Sequence, residues 1–285
     1  MIDFRYHALT IAAVFVALAL GLLLGMTLGD TNLISNARGG LENSLKSDLD
    51  DARQQASDRE KQLENQNEFI GAAYPKLVRG ELVHRRVVTI GSAKVAQSTL
   101  KAVTGSVEPA GAEVTYIAQL VAQPRYAEIA KELGVGRLIP ARTPKASEAE
   151  QLGRAVGRRL ARGRNATTMR RLVFSRFSGN YSRASLVTYA RQAAENQRSD
   201  SGKVFDGFER GIVAGLAQRS QRVAGVESST TTPSNIAWYN ALGLSTVDNV
   251  EQFSGHYSLV AIFNGAKGDF GTKESAGSLV PQIGL

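Results

Sequence analysis

The chain has 285 residues, no cysteine and a formal net charge of +8. That length is enough for one large or two modest domains with a real core. The lack of cysteine excludes disulfides and thiolate metal sites, and the positive charge favours anionic surfaces or polymers without specifying a fold.

The run Ala8 to Leu28, ALTIAAVFVALALGLLLGMTL, contains no charged residue. A helix of about twenty apolar residues crosses a hydrocarbon core of roughly 30 Å. Ala13, Ala17, Gly21, Gly25 and Gly29 recur at every fourth position within and just after it. On a helix this draws a groove of small side chains that a second helix can approach closely. Arg5 and the α-amino group precede the run, whereas Asp30 follows it and no basic residue comes before Arg38. The positive flank places the N-terminus in the cytoplasm and the remaining chain outside the plasma membrane. The apolar run exceeds the roughly 7–15 residues of a signal-peptide core and continues as GMTLGD with no clear A-x-A cleavage pattern, so it reads as an uncleaved anchor rather than a cleaved signal peptide.

Leu33 to Gly40 reads as a short break. A second helix is expected from Leu41 to Ala73, ending before Pro75. Leu45, Leu49, Ala52, Ala56, Leu63 and Ile70 follow a heptad seam, interrupted by Arg59 and Gln66. This predicts a partly polar coiled-coil stalk that needs a partner to bury its seam, either a second copy or another membrane protein.

Beyond the stalk, Val87 to Ile90 and Glu113 to Leu120 read as strands, with a helix from Val95 to Val103 between them. Tyr126 to Leu133, Ser147 to Arg162 and Thr167 to Phe177 read as helices. Ser185 to Tyr189 reads as a strand, Glu195 to Gly202 as a polar loop and Lys203 to Ser220 as a helix. Arg222 to Val226 is a short strand. Pro233 fits the first turn of a helix reaching Ala241. Tyr257 to Phe263 reads as the last strand, followed by a glycine-rich tail. The alternation predicts an α/β fold: a single N-terminal transmembrane helix, a coiled-coil stalk, then a Rossmann-like layered domain with a mostly parallel sheet. The boundaries are 1–7 for the cytoplasmic N-terminus, 8–29 for the anchor, 41–74 for the stalk and 82–285 for the extracytoplasmic domain.

The chemistry-bearing residues are sparse. The first strand leads into Gly91-Ser92-Ala93, which lacks a dinucleotide or P-loop fingerprint. Hydroxyls in Ser228–Asn235 precede a helix N-terminus, an arrangement that suits either a degenerate phosphate site or an ordinary helix start, and the second is preferred. His7, His84 and His256 form no metal-binding spacing, and Met1, Met26 and Met169 are the only methionines. Soft metals require thiolate, thioether or imidazole, so no metal site, cofactor or catalytic set is predicted and the chain is not expected to be an enzyme. From Gln151 to Ala194 there are arginines but no acidic residue. Arg154, Arg158 and Arg162 lie at i, i+4 and i+8, with Arg159 beside them. Their mutual repulsion would be relieved by an anionic partner (lipid headgroups, an acidic envelope polymer or an acidic protein), and a merely solvated basic face is the equally weighted alternative. Nucleic acid suits the charge but not the expected placement.

The opening MIDFRYHALTIAAVFVALALGLLLG, the motif Ser245-Thr246-Val247-Asp248-Asn249-Val250, and the tail from Phe270-Gly271-Thr272-Lys273 to Ser278-Leu279-Val280-Pro281 resemble the actinobacterial MctB/SteB family. The resemblance implies one of two roles. The first is a scaffold in cell-envelope assembly and division, pairing through its coiled coil with a SteA-like membrane protein and regulating septal peptidoglycan remodelling. The second is copper efflux or tolerance. A single apolar helix makes no pore, no barrel strands are evident and metal ligands are few, so the scaffold role ranks first.

Overall fold

The computed structural model describes residues 4–28, 31–136, 143–163, 167–179, 184–192, 199–217 and 222–282. It divides into two units, residues 1–68 and 69–285. The first unit holds helix α1, Phe4–Leu28, and most of helix α2, Thr31–Leu77. Within α1, His7–Met26 is long and apolar enough to cross a membrane, and none of it is buried by protein. Leucine, valine and phenylalanine on all sides of one helix match a lipid surround. Helix α2 has 47 residues, about 70 Å at the helical rise.

Two expectations for α2 are corrected. The break at Leu33–Gly40 is absent, because the helix runs unbroken from Thr31. Glycine weakens a helix by roughly 1 kcal/mol per residue but does not remove its hydrogen-bond donors, so a pair of glycines need not end it. Nor does Pro75 end the helix, which continues to Leu77. Docking of the adjacent Tyr74 offsets the hydrogen bond that Pro75 cannot make. The Tyr74 hydroxyl donates to the Ser106 carbonyl at 2.6 Å, and its ring meets Phe253 and His256.

The second unit is a seven-stranded sheet in the order β3-β2-β1-β4-β5-β6-β7. The strands are β1 Arg86–Gly91, β2 Glu113–Leu120, β3 Phe174–Gly179, β4 Leu186–Ala190, β5 Arg222–Val226, β6 Ser245–Val247 and β7 Asp269–Phe270. All neighbours are parallel except β3, which runs antiparallel to β2. The helices are α3 Gln97–Val107, α4 Tyr126–Glu132, α5 Ala146–Ala161, α6 Thr167–Val173, α7 Asp200–Ala217, α8 Ile236–Asn240 and α9 Phe253–Asn264. Val88, Ile90, Val187 and Tyr189 face a core with Leu152, Val156, Phe208 and Ile212 of α5 and α7. Val87, Leu186, Ala224 and Val226 face the opposite core with Leu100 and Val103 of α3, Leu259 and Phe263 of α9, and Tyr74. Helices cover both faces, and the mixed α/β class with a mostly parallel sheet is the one expected from the sequence.

Three local assignments change. Tyr257–Phe263 is not a strand but the end of helix α9. Its inward residues Gly255, Ser258, Leu259, Ile262 and Phe263 recur with helical spacing, a pattern that a short apolar run leaves ambiguous. Thr167–Phe177 is helical only to Val173. Phe174 then enters β3, where pairing with β2 sets the conformation. Pro233 precedes α8, which begins at Ile236. The loop expected at Glu195–Gly202 lies mainly outside the described residues, with α7 starting at Asp200. The short strands β6 and β7 were not anticipated. β6 lies within the Ser245–Val250 motif.

Candidate functional site

In an open parallel sheet the ligand crevice lies beyond the carboxyl ends of the strands, where the strand order reverses. Here the reversal falls between β1 and β4, at Gly91-Ser92 and Ala190-Arg191. The side chains placed there bind one another. Arg191, whose side chain is 3% exposed, meets Glu209 at 3.1 Å and Asp206 at 2.8 Å. It also donates to Asn235 Oδ1 at 2.9 Å and lies 4.4 Å from the centre of the Trp238 ring. The Tyr189 hydroxyl donates to the second Glu209 oxygen at 2.8 Å. The Tyr239 hydroxyl accepts the Arg191 backbone N–H at 2.8 Å and faces the carbonyls of Val226 and Tyr189. It thereby ties the ends of β4 and β5 together. Gly225 makes room for the tyrosine ring, since a Cβ there would lie 2.5 Å from it.

Burial alone disfavours both charges of this pair. It works to lower the Arg191 pKa, but the carboxylates of Glu209 and Asp206 outweigh it and hold the guanidinium charged. Burial pushes the Glu209 carboxyl up, opposed by Arg191 and by hydrogen bonds from Ser92 and Tyr189. Removing either partner would strand a charge in the core.

A second cluster closes the neighbouring strand ends. Glu227, directly after β5, accepts from Ser234 Oγ at 2.7 Å, Asn235 N at 2.7 Å and Lys273 Nζ at 2.6 Å. Lys273 also donates to the carbonyls of Ser228 and Thr231. Asp248, directly after β6, accepts the backbone N–H groups of Thr272 and Lys273 at 2.7 and 3.0 Å. Gly271 has φ +145°, and a Cβ on it would overlap the Asp248 carboxylate. The sequence motifs around Asp248 and Lys273 therefore meet as one clasp. Ser228–Thr232 forms the loop this clasp secures. Gln119 secures the β1–α3 loop by donating to the carbonyls of Ala93 and Val95 at 3.0 and 2.8 Å. A cleft of about 490 Å³ lies nearby, lined by Ser147, Glu150, Lys203, Asp206, Arg210 and Trp238. Asp206 is already engaged there by Arg191, Arg210 and the Trp238 indole N–H.

Among the described residues, none of the predicted site residues takes part in this network. Ala13, Ala17, Gly21 and Gly25 are exposed along α1, and a Cβ at Gly21 or Gly25 would meet nothing within 4 Å. Gly29 lies outside the described residues. Ala52 and Ala56 are exposed, and Leu45, Leu49, Leu63 and Ile70 are 61%, 51%, 60% and 41% exposed. Ile70 belongs to the second unit. Arg154 pairs with Glu150 at 3.0 Å, one turn before it. Arg158 and Arg159 are half-buried and Arg162 is exposed. Among the described residues there is no cluster of three metal-ligating side chains. The His256 ring packs against Tyr74 and Phe253, and neither of its nitrogens has a hydrogen-bond partner among the described residues.

The network at the strand ends was missed, although a signal for it exists. Three consecutive parallel strands end directly before a charged residue: LVTYA before Arg191, RVAGV before Glu227 and STV before Asp248. A charge abutting a buried strand is costly unless it is paired.

A search of curated proteins gave no match. A scan against protein families matched residues 1–281 to the family described as copper transport outer membrane protein, MctB. With nearly its full length matched, from the apolar N-terminal helix through the Asp248–Lys273 clasp, the chain belongs to the MctB family.

Proposed function

We propose that this protein is a single-pass scaffold of the plasma membrane, with its N-terminus in the cytoplasm and its α/β domain outside. It acts in cell-envelope assembly and division by pairing through α2 with a SteA-like membrane protein, and so regulates septal peptidoglycan remodelling. The observation that carries this reading is the exposed seam of Leu45, Leu49 and Leu63 on a helix of 47 residues. Leucines repeating along such a helix gain stability only against another helix. The strand ends favour a non-enzymatic role for the domain, because the switch point is filled by side chains bonded to each other.

The test is crosslinking of the full-length chain in native membranes, followed by identification of the captured protein. Wild type is compared with a Leu45→Ser, Leu49→Ser, Leu63→Ser variant. The expected result is one membrane protein captured by wild type and lost in the variant. Equal capture by both would overturn the reading.

Membership of the MctB family favours a second reading, copper efflux or tolerance, with the ion as cargo. It predicts that deleting the protein sensitises cells to copper and that the seam variant restores tolerance. Failure of the seam variant to restore tolerance would tie that phenotype to pairing instead.

A further inference from the structure

The network that fills the switch point leaves the cleft of about 490 Å³ beside it open. That cleft lies at the carboxyl edge of the sheet, because Asp206 in its wall binds Arg191, the residue that follows β4. An open parallel sheet takes its ligands at this edge. Ser147 and Glu150 of α5 line one side, Lys203, Asp206 and Arg210 of α7 another, and Trp238 of α8 a third. The volume falls within the roughly 300–1,000 Å³ of small-molecule pockets and exceeds what a lone ion needs.

The charged groups around it are largely spent on one another. Glu150 accepts from Arg154 at 3.0 Å, and Lys203 has Asp200 at 3.5 Å. Asp206 Oδ1 accepts from Arg191 at 2.8 Å and from the Trp238 indole N–H at 2.7 Å, while Oδ2 accepts from Arg210 Nε at 2.7 Å. The exception is the far end of Arg210. Among the described residues its two Nη groups donate to nothing, and the Ser147 hydroxyl has no partner. Arg210 is nevertheless fixed, since Asp206 holds its Nε and its guanidinium lies 5.2 Å from the centre of the Trp238 ring. An ordinary pair one helical turn apart needs neither the aromatic backing nor a carboxylate already held by a second, buried arginine. Here Arg191 anchors Asp206, and Asp206 orients Arg210, so the buried network is a rigid mount for one unspent guanidinium fork.

We propose that this cleft binds a small organic molecule through a single carboxylate. The two Nη groups of Arg210 donate to its two oxygens, a planar match that an ammonium group lacks, and the Ser147 hydroxyl adds a third donor. One negative charge fits because one fork is unspent and the other lining cations have carboxylates of their own. A doubly charged phosphate would bring a second charge against Glu150 and Asp206. The remaining volume holds the uncharged body of the ligand. This binding stands apart from pairing through α2, since the leucine seam contributes nothing to the cleft.

The experiment titrates full-length protein in non-ionic detergent with N-acetylalanine, hexanoate and glucuronate, each against its neutral amide. Saturation-transfer NMR reads the ligand, and the fluorescence of Trp238, the sole tryptophan, reads the cleft. At least one carboxylate should bind and its amide should not. Arg210→Gln should weaken binding roughly tenfold or more, as expected for lost hydrogen bonds to a charged group, and Arg210→Lys should recover only part of it. Ser147→Phe changes an exposed position, fills the cleft and leaves Arg210 in place, so it should abolish binding with the urea midpoint unmoved. No binding of any of the three carboxylates, equal binding of the amides, or undiminished binding by Arg210→Gln or Ser147→Phe overturns the proposal. Full recovery by lysine overturns the paired-donor recognition, and tighter binding of inorganic phosphate overturns the single carboxylate.

Discussion

Two sets of small residues, spaced four apart, behave in opposite ways in this molecule. On α5 and α7, Gly153 and Gly157 face Gly207, Gly211 and Gly215. A Cβ at any of these would come within 2.0 to 2.4 Å of the facing helix backbone. On α1, Ala13, Ala17, Gly21 and Gly25 make the same pattern, yet a Cβ at Gly21 or Gly25 meets nothing. The α5–α7 row is consumed inside the domain, whereas the α1 row remains available. The spacing therefore indicates that a close approach is sterically possible, and only the surroundings decide whether the chain itself supplies the neighbour. The same contrast separates the saturated strand ends of the domain from the exposed seam of α2.

The largest effect that would sharpen this contrast is expected at Arg191. Arg191→Met leaves Glu209 buried without its counter-charge and should cost about 3–5 kcal/mol. Urea unfolding of the full-length protein, followed by the fluorescence of Trp238, the sole tryptophan, measures it. An unchanged midpoint would mean that the network is not integral to the domain.

Next comes Gly211→Ala, whose methyl would press into the Glu150 carbonyl and push α5 from α7. Overpacking of this kind should cost about 3 kcal/mol in the same assay. Tolerance of the alanine would break the comparison, because the glycines would then not be required for close approach.

A smaller effect is expected from pH. Burial holds the His256 pKa below its ordinary 6.5, so the unfolded chain takes up a proton where the folded chain does not. Stability should fall as pH drops below about 6.5 and continue to fall until the folded-state pKa is reached. His256→Phe should flatten that part of the profile, and urea midpoints on either side of pH 6.5 would reveal it. A slope unaltered by the substitution would assign the dependence elsewhere.

The smallest effect on stability is expected from Gly21→Leu with Gly25→Leu. The urea midpoint should not move, while association of the full-length protein in membranes, read by energy transfer between labelled copies or with a captured partner, should weaken. Unchanged association would remove the α1 groove from the pairing surface.

Much of the architecture was legible in the chain. The strand Glu113–Leu120 and the helix around Leu152 and Val156 follow from local pattern, because alternation and helical spacing record which side of an element is buried. The apolar run was equally plain, since its length and lack of charge are enough to define it. The helix at Tyr257–Phe263 was not legible, because an unbroken apolar run suits a buried strand as well as a buried helix. Strand β3 was hidden for a different reason: its conformation comes from hydrogen bonds with β2, residues Tyr116 to Leu120, far away in sequence.

The sequence by itself determined the apolar N-terminal helix, the long second helix with its repeating leucines, the layered α/β class and the arginine-rich stretch. Each of these is a one-dimensional pattern of hydrophobicity or charge. Only the tertiary structure decided that Arg191 meets Glu209, that Lys273 reaches Glu227 and that Asp248 holds the turn at Gly271. Those partners lie on different elements, and pairing them removes the cost of burying each charge alone. The crevice that the fold class reserves for a ligand is filled by that pairing, a fact no single stretch of sequence contains.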